Sequence, residues 1–121
     1  MNRIILLAIA CFFITAASGQ PANDVLVPNG YLNGNRYLSL GEERQIAYVM
    51  GVIDGLLASV IFGGDAARVN ALQNCILEMQ GTQALAIVNK YLDGSPQNWH
   101  HPMSTQIYIA FTYVCPEIEG D

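Results

Sequence analysis

Seventeen consecutive residues, Ile46 to Phe62, carry a single charge, Asp54, in a run otherwise made of apolar and small side chains. Such a run predicts either a helix buried on nearly all sides or a membrane span. Ile46, Val49, Met50, Ile53, Leu56, Leu57, Val60 and Ile61 recur at three- and four-residue steps, the period of one helical face. Ala47, Gly51, Gly55 and Ser59 form a second line at four-residue steps. Glycine inside a helix costs about 1 kcal/mol relative to alanine, so this line predicts close approach of another backbone. Ser39-Leu40-Gly41-Glu42 has the form of a capping box. Glu42 and Glu43 suit the positive end of the helix dipole, and Gly63-Gly64 suits the helix end. A span needs about 20 apolar residues and accepts a central Asp at a cost of about 2.5–3.5 kcal/mol. The run is marginal in length and bears that cost, which favours the core helix.

The N-terminus predicts export. Met1-Asn2-Arg3 is a short positive start, Ile4 to Ile14 is apolar, and Thr15 to Gly19 is small-residue territory before Gln20. This is the three-part pattern of a cleaved secretory signal over residues 1–19, excluded from fold reasoning. A lipoprotein reading would acylate Cys11. It fits poorly, because the apolar run continues through Phe12, Phe13 and Ile14. The expected destination is the periplasm or the exterior, with no membrane attachment after cleavage.

Signal removal leaves Cys75 and Cys115. Two cysteines in a small exported domain usually pair, because the compartment is oxidising. The mature domain is of a size whose single core is only modestly stable, so a disulfide is useful. Loss of Arg3 also makes the net charge one unit more negative than −5, leaving Arg36, Arg44, Arg68 and Lys90 as the strong bases. That distribution argues against nucleic acid, which requires clustered Lys and Arg, and against electrostatic attachment to anionic lipid.

The mature chain reads as one all-α domain of about four helices around a long central one. Residues 20–35, rich in Asn, Pro and Gly, are expected to form a flexible or loosely docked leader with turns at Asn29-Gly30 and Asn33-Gly34. The helical domain occupies 36–121. Asp65 caps a short helix over Ala66 to Ile76. Gly81-Thr82 opens a helix from Gln83 to Leu92, with Ala84, Leu85, Val88, Tyr91 and Leu92 inward, and Asp93-Gly94-Ser95-Pro96 ends it. Pro102 starts the last helix, whose inward positions are Met103, Ile107, Ala110, Phe111 and Val114. Glu117 to Asp121 is an acidic tail.

Catalytic and metal constellations are sparse. His100 and His101 are adjacent and point in different directions, with no Asp, Glu or Cys at ligand spacing. Neither metal nor cofactor is expected. There is no Gly-x-Ser-x-Gly, phosphate-binding glycine loop or His-Glu-x-x-His. A buried lone Asp54 would hold a neighbouring loop by accepting hydrogen bonds, and no second carboxylate one turn away suggests acid–base work.

A family resemblance follows from these segments. Tyr48-Val49-Met50-Gly51-Val52-Ile53-Asp54-Gly55, then Cys75-Ile76, then Thr82 through Leu92 ending Val-Asn-Lys-Tyr-Leu, then Pro96, then Tyr113-Val114-Cys115 stand in an order that resembles the Rap/Tai-type immunity proteins of bacterial type VI secretion. The match runs from about Asn33 to Pro116. Many members carry a further cysteine pair near the position of Gln45, and Leu77 stands where a proline often follows. The resemblance implies a helical, disulfide-bonded periplasmic protein that binds and blocks a peptidoglycan-cleaving amidase. It also implies a possible homodimer. Its contact residues vary with the effector. An exported enzyme is a competing reading, disfavoured by the missing catalytic constellation. On physical grounds the expected partner surface is the Gly63-Gly64-Asp65 turn and the Asn98-Trp99-His100-His101 connector, because exposed aromatics often anchor interfaces. The competing role for Trp99 is to cover helix ends. An exported envelope binding or stress protein with the same fold and no amidase target is the alternative reading.

Overall fold

The computed structural model describes residues 32–120. The signal sequence and residues 20–31 of the leader lie outside the described residues. Helix α1 is Gly34–Leu38 and α2 is Glu42–Ala58, continued by a 3-10 turn over Ser59–Phe62. Helices α3 (Ala66–Ile76), α4 (Gly81–Asp93) and α5 (Met103–Val114) follow, with further 3-10 turns at Pro96–Asn98 and Pro116–Ile118. Among the described residues there is no strand, only one isolated bridge between Asn33 and Pro102. The expected all-α body around a long helix is present.

Local chemistry explains most helix ends. Asp65 Oδ1 accepts from the Ala67 and Arg68 amides at 2.8 and 3.3 Å, capping α3 at the expected residue. At the start of α4 the Gln83 side chain accepts from the Gln80 amide at 2.8 Å. The expected capping box on α2 is absent. Gly41 is its N-cap, with no side-chain cap bond, and the Ser39 hydroxyl donates to the Arg36 carbonyl at 2.6 Å at the end of α1. Ser39 is committed to the preceding turn and cannot serve the next helix.

Helix α1 replaces the turn expected at Asn33-Gly34. Asn33 caps it, its side chain accepting from the Arg36 amide at 3.0 Å. The driving force is Tyr37, wholly buried and packed on Tyr48 with ring centroids 6.1 Å apart. Residues that the leader reading left loose are therefore tied down. The Met103 amide donates to the Leu32 carbonyl at 2.6 Å, and the Asn35 amide to the Trp99 carbonyl at 3.1 Å. A Cβ on Gly34 would lie 2.9 Å from Trp99 Cα, so only glycine fits this crossing.

One core joins all five helices. Val49 and Ile53 of α2 meet Leu72 of α3, Ala84, Leu85, Val88 and Leu92 of α4, and Met103, Ile107, Ala110 and Phe111 of α5. The inward stripes read from α4 and α5 hold, except that Val114 is half exposed and Tyr91 only partly buried. Gln45 is buried and donates through Nε2 to the Tyr37 carbonyl at 3.1 Å, joining α2 to α1.

Cys75, in the last turn of α3, is bonded to Cys115, immediately after α5, with Cα atoms 6.0 Å apart across 40 residues. The turn that follows places Ile118 in the core at 1% exposure. The segment read as an acidic tail is thus anchored at its start, and burial of one isoleucine contributes about 1.5–3 kcal/mol.

Helix α2 is not buried on nearly all sides. Ala47, Met50, Gly51, Asp54 and Gly55 are exposed. An added Cβ at Gly51 or Gly55 would meet nothing within 4 Å. Among the described residues, the glycines of the small-residue line therefore face open space, not a packed backbone, and only Ser59 at its end meets the turning chain, at Gly64. Among the described residues, Glu42–Phe62 is the one helical stretch long and apolar enough to cross a membrane by length and composition. Its Val49–Ile53 side nonetheless lies in the helical core.

Candidate functional site

The exit of α2 presents the most exposed large apolar side chain of the described residues, Phe62 at 88%, beside Ile61 at 76%. Their position follows from the backbone. The α-helix tightens into a 3-10 turn at Ser59, which has three residues per turn in place of 3.6. Val60, Ile61 and Phe62 of this turn are all exposed. Gly63 then adopts the left-handed conformation at φ +89°, with its amide bonded to the Val60 carbonyl at 3.2 Å, a geometry that favours glycine. The Gly64 amide bonds the Ser59 carbonyl at 2.9 Å, and a Cβ there would lie 2.9 Å from Ser59 backbone atoms. Both glycines are needed to reverse the chain so tightly.

Asp65 completes the corner. Its carboxylate caps α3, and Oδ2 lies 3.7 Å from Arg68 Nε in a solvent-exposed pair. Such a pair contributes little to stability. Beneath the corner is a small recess of about 120 Å³ between Leu56, Val69, Leu72, Tyr108 and Ile118. The result is a rigid turn holding two apolar side chains outward beside a fixed carboxylate. That arrangement offers contact surface to a partner.

The other residues singled out by sequence lie elsewhere. Trp99 is half-buried, and its Nε1 donates to the Leu92 carbonyl at 2.9 Å. It covers the end of α4, the competing role named above. His100 and His101 are exposed, and their rings lie 4.0 Å apart at a tilt of 38°, side by side where the sequence predicts that they point apart. The His101 carbonyl accepts from Gln106 Nε2 at 3.0 Å. No group of three His, Cys, Asp or Glu side chains among the described residues could hold a metal ion. Asp65 belongs to the α2–α3 turn and Trp99 to His101 to the α4–α5 turn. Among the described residues no hydrogen bond or shared cavity joins the two.

Asp54 corrects the expectation of a buried acid. It is exposed, because it lies on the side of α2 that no other helix among the described residues covers. Cys75 and Cys115 are used on each other. Ile61 and Phe62 belong to the run that the sequence predicts to be buried. The available signal was the width of its apolar surface, which covers more of the helix circumference than one packing face.

Comparison with family models, with curated proteins and with solved structures gives no match to this chain.

Proposed function

We propose that this chain is a periplasmic immunity protein that binds and inhibits a peptidoglycan amidase effector of type VI secretion, and is not itself an enzyme. The reading rests on the resemblance carried by the Gly-Val-Ile-Asp-Gly, Val-Asn-Lys-Tyr-Leu and terminal Val-Cys segments. The observation that carries it furthest is the α2 exit, where Ile61 and Phe62 stand out from a glycine-locked corner. A cleft-blocking inhibitor needs a preorganised projection, because rigidity lowers the ordering cost of binding. Asp65 at the same corner adds a carboxylate whose position is fixed by the α3 cap.

The test mixes the processed protein with papain-like amidase effectors of type VI secretion and follows cleavage of peptidoglycan stem peptides. Stoichiometric loss of cleavage, and survival of cells that express the amidase in the periplasm, are the expected results. Full cleavage at excess protein would move the assignment to an envelope binding protein without an amidase target.

A further inference from the structure

An open groove of about 550 Å³ runs between the outer sides of α4 and α5. Its walls include Ala86, Ile87, Tyr91, Tyr113 and Val114, and Lys90 stands in it. Tyr91 and Tyr113 pair across it with ring centroids 5.9 Å apart. Lys90 is the one lysine of the sequence, and among the described residues no acidic side chain lines the groove. The groove therefore suits a short apolar segment bearing one carboxylate.

We propose that the occupant is the chain's own Asp24-Val25-Leu26-Val27, with the Asp24 carboxylate beside the Lys90 ammonium and the three apolar side chains along the helices. Asp24 is the only carboxylate before Glu42, and it stands directly before three apolar residues. The point of attachment is favourable. Leu32 is bonded to Met103 at the start of α5, and Asn35 to Trp99. Both contacts are at the α4–α5 turn, the end of the groove where Gly94 and Ser95 lie. From Leu32 back to Asp24 an extended chain reaches up to about 26 Å. The stretch of α4 from Ser95 back to Ala86 spans about 14 Å. The tether thus covers the groove with length to spare. Because the segment is covalently attached, a modest contact is enough to hold it there. This inference does not depend on the immunity reading.

The single lysine gives a direct test. The processed full chain is treated with an amine-acylating reagent, and acylation of Lys90 is followed by peptide mass spectrometry. Docking predicts that Leu26→Asp accelerates Lys90 acylation about fivefold or more, the ratio set by how often the covered state opens. Asp24→Arg, which adds no amine, is expected to accelerate it as well. Far-UV circular dichroism checks that the helical body is unchanged in each variant. Equal rates in wild type and both variants would overturn the proposal. Protection that is lost on dilution would assign the groove to a second copy of the chain and overturn it equally.

Discussion

Tyr37 is the residue on which the N-terminal third of the described body turns. It is fully buried, its hydroxyl is 3.5 Å from Asn89 Oδ1, and burial pushes its phenol up from 10.0 to about 12. A phenol whose pKa is higher folded than unfolded contributes stability below pH 10. That contribution is lost as pH rises toward 12. Urea melts between pH 9 and 12 should show a steep fall in wild type and a shallower one in Tyr37→Phe. At neutral pH the same variant is expected to lose about 1 kcal/mol through the missing hydroxyl contact. Asp54 sits at the other extreme. Its exposure means that Asp54→Asn should change unfolding free energy by less than about 0.5 kcal/mol. A larger loss would show that the carboxylate has a partner outside the described contacts. Gly34→Ala places a methyl group against Trp99 backbone and is expected to cost about 1–3 kcal/mol, read by the same melts.

Among the elements, α3, α4 and α5 were legible because their signals are local. Asp65, Gly94 and Pro102 mark their ends, and the apolar period marks their inward sides. Helix α1 was missed because five residues carry too little pattern. Its stability comes from Tyr37 packing on distant residues. Helix α2 was read correctly as a helix and wrongly as enclosed. Periodicity says which side of a helix is apolar. How many neighbours are available to cover it depends on the whole chain, and a small domain buries a smaller share of its surface. Gly51 and Gly55 give the test at this scale. Each faces open space, so Gly51→Ala and Gly55→Ala should each stabilise the isolated protein by up to about 1 kcal/mol. A destabilised variant would mean that another backbone packs there in solution.

For the whole molecule, the covalent link between α3 and the end of α5 closes the helical body. The chain-entropy argument assigns about 4 kcal/mol to a loop of this length, so Cys75→Ser/Cys115→Ser should lower the unfolding free energy by about that amount in denaturant titrations. The pairing was legible because removal of the expected signal leaves two cysteines, with no ligand pattern beside them, in an oxidising compartment. The candidate site was legible only in part. Asp65 and the two glycines pointed to the corner, whereas Ile61 and Phe62 were hidden inside a run whose composition resembles a core. Titration calorimetry of the processed protein against papain-like peptidoglycan amidase effectors tests the central claim most directly. The account predicts tight stoichiometric binding, weakened tenfold or more by Phe62→Ser, about 1.4 kcal/mol, with an unchanged melting temperature. Absence of binding, or equal affinity for wild type and Phe62→Ser, would contradict it.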